Sequence, residues 1–292
     1  MLYILSTLQF IQYGTGSTPS SVYGEEYLDT VTINSDLVIT NQSIGVAYSG
    51  SNIDLGGLDG ILGLGPVDLT RGIVDNEVEV PTVTDNLYEQ GAISSKVLGV
   101  FFSPASSNDA TGELTFGGYD ASKITGDVNY VPVTSTYPSN AYWGINQTIS
   151  YGATSILSNT AGIIDTGTTL ILIATGRYVA YNNESYSYYS DAFDKYQTAT
   201  GGTLDSSTGL LKISSEQYNN LSSLCFQIGD VSYELTPNAQ IWPRSLNTAI
   251  GGTADGIYLI VADIGSNAGS GLDFISGYCF LYAVPIFFAR SC

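Results

Sequence analysis

The residues that could carry chemistry in this sequence are mainly carboxylates, because its 292 residues include no histidine. Without an imidazole base, Ser-His-Asp and Cys-His nucleophilic catalysis and His-based metal sites are excluded. Cys225, Cys279 and Cys292 lie too far apart in the sequence to indicate a zinc or redox motif. Acid–base chemistry by Asp and Glu therefore remains, with hydroxyls and backbone groups in support.

One acidic residue stands out by its surroundings, in the segment Ala161-Gly-Ile-Ile-Asp-Thr-Gly-Thr-Thr-Leu-Ile-Leu172. Asp165 lies between two apolar runs, and a buried carboxylate there is costly unless the loop hydrogen-bonds it. Gly167 lets the backbone turn back so that its amide can approach the carboxylate, and Thr166 and Thr168 offer hydroxyls. An ordinary exposed hairpin turn is the alternative. The apolar flanks favour a catalytic aspartate.

The overall charge limits the kinds of partner. The formal net charge is −19, with 8 Lys plus Arg, so nucleic acid is not expected as a ligand. Such acidity suits a protein that works in acid, where carboxylates protonate and self-repulsion falls. It is equally typical of secreted proteins rich in Ser, Thr and Gly, so composition alone leaves both explanations open.

Targeting signals in the sequence are weak. No apolar run is long enough to span a membrane, and the first ten residues lack the charged start and cleavage site of a signal peptide. Four Asn-x-Ser/Thr sequons nevertheless favour a secretory ancestry. Their asparagines are Asn41, Asn146, Asn183 and Asn220.

The elements that must position Asp165 are predicted to be strands almost throughout, because short β-branched and aromatic runs alternate with Gly, Ser, Asn and Asp. Such strands are predicted at Tyr27–Ile33, Val97–Phe102, Gly112–Gly118 and Val231–Thr236. Helices are predicted at Thr84–Gln90, where capping residues precede it and Gly91 follows, and less clearly at Gly176–Tyr181.

The domain organisation is predicted from a boundary near residues 120–126, which separates residues 1–125 from residues 126–292. Two segments echo each other across it, Leu58-Asp-Gly-Ile-Leu-Gly63 and Leu272-Asp-Phe-Ile-Ser-Gly277. A duplicated lobe would produce this echo, and so would chance in a Gly-rich β protein.

Several collinear motifs give the chain a family resemblance. Ile163–Leu170 resembles the second catalytic loop of pepsin-like aspartic proteases. Ile11-Gln-Tyr-Gly-Thr-Gly-Ser17 resembles their flap, with Tyr13 as its tyrosine, and Leu58–Leu64 resembles the apolar segment behind the active site. Further matches, which extend the resemblance over roughly residues 10 to 281 and towards secreted fungal members, are Asp85–Gly91, Leu114–Asp120, Tyr130–Val133 with Tyr142-Trp143, Asp205–Ile213 and Phe274–Gly277.

The resemblance implies a fold and a set of partners. The fold would be all-β with a few short helices, a bilobal pepsin-like acid protease fold truncated in the amino-terminal lobe. Residues 1–125 would be the remnant of that lobe with the flap, and residues 126–292 the carboxy-terminal lobe. The substrate would be a peptide or protein, with no cofactor or metal. We expect a monomer that is secreted or vacuolar and binds neither nucleic acid nor membrane.

The resemblance also implies roles for individual residues. Asp165 would be one of two catalytic aspartates, and Thr166 would join the hydrogen bonds beneath them. Substrate backbone would contact Gly167, Thr168 and Thr169. The flap residues Tyr13, Gly14, Thr15 and Gly16 would close over an extended peptide as a lid. Leu58 and Ile61 would line an apolar pocket, or would belong to the core.

The chain departs from the family pattern at both ends. Only about ten residues precede the flap, and none forms a first Asp-Thr/Ser-Gly loop; Asp29-Thr-Val31 lacks the glycine. Tyr278 stands where many members have Asp, and the residues after Leu281 do not match. We therefore expect a shortened product with impaired activity, because a single carboxyl has no partner to share a proton with.

Three other functions stay open beside the protease. The first is a non-catalytic pepsin-like protein that binds peptide or protein. The second is an all-β glycosidase that uses two carboxylates, for which no motif speaks. The third is a protease in which two chains each donate one Asp165, and the unequal lobes argue against it.

Overall fold

A computed structural model describes residues 3–13, 20–51, 57–75, 77–103, 112–124, 126–175, 177–181, 185–189, 192–284 and 286–289. The chain divides into two compact units. Unit 1 comprises Met1–Val100, Leu114–Ala121 and Phe287–Cys292, and unit 2 comprises Phe101–Glu113 and Ser122–Ile286. Both are built mainly from strands, which confirms the predicted all-β class with a few short helices.

The elements follow one another along the chain with short connections. The strands are β1 (Tyr3–Tyr13), β2 (Ser20–Asn34), β3 (Leu37–Ser51), β4 (Val97–Phe101), β5 (Glu113–Phe116), β6 (Gly144–Tyr151), β7 (Thr154–Ile164), β8 (Ile171–Thr175), β9 (Arg177–Tyr181), β10 (Ser185–Tyr189), β11 (Thr203–Leu204), β12 (Leu211–Ile213), β13 (Leu224–Ile228), β14 (Val231–Leu235), β15 (Ile257–Tyr258), β16 (Val261–Asn267), β17 (Phe274–Ser276) and β18 (Ile286–Ala289). The α-helices are α1 (Val83–Glu89), α2 (Ala192–Thr200), α3 (Ser215–Asn219) and α4 (Tyr278–Leu281). Short 3-10 helices occupy Val67–Thr70, Ala121–Lys123, Ser139–Ala141, Pro237–Gln240 and Arg244–Ile250.

Unit 1 is organised around the antiparallel sheet β1-β2-β3. The turn between β2 and β3 is set by Asn34, whose side-chain oxygen accepts hydrogen bonds from the amides of Asp36 and Leu37 at 2.9 and 3.0 Å. Asn and Asp favour turns because their side chains bond the backbone in this way. The strand predicted at Tyr27–Ile33 lies within β2 and is confirmed.

Helix α1 covers β3 on one side and confirms the helix predicted at Thr84–Gln90. It begins with a capping box, in which the side chains of Thr82 and Asp85 each accept a hydrogen bond from the other residue's backbone amide. Its buried residues Val83 and Leu87 pack against Ile39 of β3. A second three-stranded sheet has the order β18-β4-β5, in which β4 and β5 confirm two further predicted strands.

Unit 2 contains a seven-stranded sheet with the order β14-β13-β6-β7-β17-β8-β16. Neighbours along the chain pair antiparallel, whereas β17 runs parallel to β7 and β16 runs parallel to β8. The sheet packs through large apolar side chains, including Ile149, Phe226, Phe274 and Phe280, each at most 1% exposed. Strands β11, β12 and β15 form a smaller sheet, and the predicted strand Val231–Thr236 is confirmed as β14.

A buried carboxylate fixes the turn that leads into β17. Asp273 is 2% exposed and accepts hydrogen bonds from the amides of Gly269 at 2.9 Å and Ser270 at 3.1 Å. The hydroxyl of Thr160, on β7, donates a third. These donors offset the cost of removing the charge from water, so the start of β17 is held against β7.

The helix predicted at Gly176–Tyr181 is wrong. Residues 177–181 form β9, which pairs antiparallel with β10. A helix of five or six residues is too short to be stable on its own, whereas the aromatic residues Tyr178 and Tyr181 suit a strand that has a partner.

Two features limit other chemistry in unit 2. Cys225 and Cys279 are free thiols, so the disulfide considered between them does not form; Cys292 lies outside the described residues. Within the part of the chain that the structure describes, no helix is both long and apolar enough to cross a bilayer.

Candidate active site at the Asp165 loop

The Asp165 loop connects β7 to β8, and both of these strands pair with β17. Ser276 of β17 lies opposite Ile164 of β7 and Ile171 of β8. The pairing continues into the loop, because the amide of Asp165 donates to the carbonyl of Ser276 at 3.1 Å. One buried strand therefore holds both ends of the loop, which restricts its movement relative to the sheet.

The carboxylate of Asp165 is fixed by its own loop. The amide of Gly167 donates to Oδ1 at 2.9 Å, and the hydroxyl of Thr168 donates to Oδ2 at 2.6 Å. Both oxygens thus have one donor and keep further lone-pair capacity. Asp165 and Thr166 are half-buried, whereas Gly167 and Thr169 are exposed. The carboxylate is therefore oriented but remains accessible to water or a ligand.

The far side of the loop is held by the residues that open helix α4. The amide of Tyr278 donates to the carbonyl of Thr168 at 2.7 Å, and the amide of Cys279 donates to the carbonyl of Thr169 at 2.9 Å. Helix N-termini leave such amides without intrahelical partners. The loop carbonyls satisfy them, and this fixes the two threonines relative to β17.

The side chains of Tyr278 and Cys279 have structural environments. The Tyr278 hydroxyl donates to the carbonyl of Ser103 at 2.9 Å, and its ring lies 5.0 Å from the ring of Phe102 between centroids. Burial raises the pKa of the Cys279 thiol to about 12. A protonated thiol is a poor nucleophile, so Cys279 does not compete with Asp165 as the reactive group.

The remaining predicted site residues belong to unit 1. Tyr13 is the last residue of β1, while its side chain and all of Gly14, Thr15 and Gly16 lie outside the described structure. Leu58 is 70% exposed and Ile61 is 58% exposed, so neither belongs to the core of unit 1. The whole segment 57–63 is exposed, unlike its sequence echo 272–277, which contains buried β17.

Comparison with known proteins places this geometry in a family. The sequence profile described as "Eukaryotic aspartyl protease" matches residues 5–254, which include the Asp165 loop. The chain belongs to the eukaryotic aspartyl protease family.

Individual relatives of this aspartyl protease are fungal enzymes. Polyporopepsin from Irpex lacteus is 56% identical over 275 residues, which cover 93% of this chain and 74% of polyporopepsin. Rhizopuspepsin-3 from Rhizopus niveus is 32% identical over 252 residues, which cover 85% of this chain and 56% of that protein. The crystal structure of the aspartic proteinase from Irpex lacteus superposes with a TM-score of 0.85 at 53% identity, over 96% of this chain and 77% of that one. The predicted pepsin-like fold is thereby confirmed.

Sequence reasoning missed the groups of this aspartyl protease that hold the loop from behind. The carbonyl of Ser276 and the amides of Tyr278 and Cys279 are backbone atoms, so no residue type marks them. Gly277 was the available signal, because a Cβ there would lie 2.3 Å from the carbonyl oxygens of both Thr168 and Leu170. A glycine directly after a buried strand can mark such a close approach.

Replacing Thr168 with Val should destabilise unit 2, because it removes the donor to Asp165 Oδ2 while keeping the side-chain shape. We expect the free energy of unfolding to fall by about 1–2 kcal/mol. Urea denaturation followed by tryptophan emission measures this, since Trp143 and Trp242 both lie in unit 2. Thr169→Val is the control, because Thr169 is exposed and its hydroxyl makes no hydrogen bond among the described residues. Equal effects of the two variants would contradict the assignment.

Proposed function

We propose that this chain provides aspartic endopeptidase chemistry, with Asp165 as one of the two carboxyls that activate a water molecule. The observation that carries the proposal is the doubly hydrogen-bonded carboxylate of Asp165 in a member of the aspartyl protease family. Pepsin is the standard example of two carboxyls that share one proton, because two close negative charges cannot both form easily.

The residues around Asp165 would divide the work as follows. The ionised carboxyl of the pair accepts a proton from water, and the protonated one donates a hydrogen bond to the oxygen that gains charge as the peptide carbonyl is attacked. Gly167 and Thr168 keep one lone-pair direction of each Asp165 oxygen occupied. Thr166 would extend the hydrogen bonds beneath the pair, and substrate backbone would contact Gly167, Thr168 and Thr169.

Residues of unit 1 would bind the substrate. The flap, Tyr13–Gly16, would cover an extended peptide and exclude water from it. Leu58 and Ile61, which are exposed, would contact apolar side chains of the substrate. The net charge of −19 argues against nucleic acid, and we propose a monomeric, secreted protein that acts on peptides or proteins.

The reaction requires a second carboxyl, and the 292-residue sequence contains a single Asp-Thr-Gly. We therefore propose that residues 1–292 alone are impaired in hydrolysis. The same observation favours the second candidate, a non-catalytic member of the family that binds peptide or protein. The two candidates share the Asp165 loop and differ in whether a bound peptide is cut.

The experiment that separates them measures both binding and cleavage. The chain and its Asp165→Asn variant are incubated at acid pH with an unfolded protein, with and without a pepstatin-type inhibitor, and new amino termini are counted. For the protease, whatever cleavage the chain performs is blocked by the inhibitor and absent from the variant. Peptide binding that is unchanged in Asp165→Asn, without any new amino terminus, would support the binding protein instead.

A further inference from the structure

The Asn-x-Ser/Thr sequons share an arrangement that the protease chemistry does not use. In each of the three that the structure describes, the asparagine is exposed and the middle residue is buried: Asn41 precedes Gln42 at 5%, Asn146 precedes Gln147 at 1%, and Asn220 precedes Leu221 at 9% exposure. The buried middle residue anchors the backbone while the asparagine faces water. Asn183 lies outside the described residues.

Backbone context separates Asn220 from the other two. Asn41 lies within β3 at a positive φ of 54°, and Asn146 lies within β6, paired with Ala161, with its side-chain oxygen bound by the hydroxyl of Thr134 at 3.0 Å. Asn220 instead follows helix α3 in the connection to β13. N-linked sugars are a feature of surface loops, and of the three described sites this one is in a loop.

The acceptor groups of the Asn220 sequon are both available. Nδ2 of Asn220 donates one hydrogen bond, to the carbonyl of Glu216 at 2.9 Å, and a carboxamide nitrogen carries two hydrogens. Ser222 is exposed, and its backbone is held by Tyr151 through its amide and by Gln240 through its carbonyl, both at 2.9 Å. Its hydroxyl makes no hydrogen bond within the described part of the chain.

We propose that Asn220 is an N-glycosylation site. Nδ2 attacks the anomeric carbon of an N-acetylglucosamine carried on a lipid diphosphate, the carbon–oxygen bond to the diphosphate breaks, and the nitrogen loses one proton. The second hydrogen of Nδ2 remains and keeps the bond to the Glu216 carbonyl, so the end of α3 is preserved. The sugar extends into solvent because Asn220 is exposed.

The proposal rests on the proposed secretory route and not on hydrolysis. The full 292-residue chain is expressed behind a cleavable secretion signal in yeast, and its intact mass is measured before and after peptide-N-glycosidase treatment. We expect Asn220→Gln and Ser222→Ala each to remove one glycan from the secreted protein. Ser222→Thr retains the sequon and should keep that glycan, which separates loss of the motif from a general effect of changing Ser222.

Asn219 provides a matched control, because it is exposed, adjacent and outside any sequon. Asn219→Gln should carry the same number of glycans as the unchanged chain. A glycan count that is unchanged in Asn220→Gln would overturn the proposal, as would a secreted chain without any glycan. Because the mass measurement requires no cleavage of a substrate, failure of the protease proposal would leave this result intact and distinguishable.

Discussion

Joining the chain to an amino-terminal segment that carries a second Asp-Thr-Gly loop should raise its cleavage of an unfolded protein at acid pH by about 10²- to 10⁴-fold, the usual contribution of a positioned acid or base. The segment would come from the part of polyporopepsin that this chain does not cover, which is available because the match spans 74% of that protein. The gain has one physical cause. A second carboxyl allows one proton to be shared, so that a base and an acid are present together.

Three variants of the joined protein make this result specific. Asp165→Asn should return cleavage to the level of the chain alone, and Asp→Asn in the added loop should do the same, because either change leaves one carboxyl. Asp29→Asn is the control within this chain, since Asp29-Thr-Val31 lacks the glycine of a catalytic loop and should leave cleavage unchanged. If the chain alone cleaved as fast as the joined protein, the proposed impairment would be wrong.

The sequence predicted the elements whose signals are local. Helix α1 carries its capping box within Thr82–Asp85 and its stop at Gly91, and strands such as β14 are bounded by turn residues. It failed at residues 177–181, where the decision between helix and strand depends on pairing with β10, a contact that no local pattern encodes. Propensity is a weak prior whenever a partner strand is available.

The candidate site shows the same division. Asp165, Gly167 and Thr168 were predictable because a carboxylate between apolar strands needs donors, and the loop's own residues supply them. The supports from β17 and α4 come from more than a hundred residues later in the chain. They act through backbone atoms, so spacing and residue type carry little information about them. Family resemblance named the segment Phe274–Gly277 but not its contacts.

The sequence echo between Leu58–Gly63 and Leu272–Gly277 has different structural outcomes in the two units. In unit 2 the strand β17 lies between β7 and β8, and Gly277 contacts the Asp165 loop. In unit 1 the whole of 57–63 is exposed, and nothing lies within 4 Å of a Cβ built on Gly63. The difference between the two glycines can therefore be measured by adding one methyl group to each.

Gly277→Ala should destabilise unit 2 strongly, because its Cβ would lie 2.3 Å from the carbonyl oxygens of Thr168 and Leu170. These are backbone atoms held by β17 and α4, so the clash cannot be relieved by a side-chain rotation. We expect the free energy of unfolding to fall by about 3 kcal/mol, the upper part of the range for overpacking. Urea denaturation followed by the emission of Trp143 and Trp242 measures it.

Gly63→Ala is the matched substitution and should change the free energy of unfolding of unit 1 by less than about 0.5 kcal/mol, as is usual for an exposed site, measured by far-ultraviolet circular dichroism in urea. In the joined protein the expectation reverses. If the added Asp-Thr-Gly loop packs on 58–63 as the Asp165 loop packs on 272–277, Gly63→Ala should become destabilising there by a similar amount to Gly277→Ala. A Gly63→Ala effect that stays negligible in an active joined protein would show that the echo has no structural counterpart, and the second carboxyl would then be positioned by other residues.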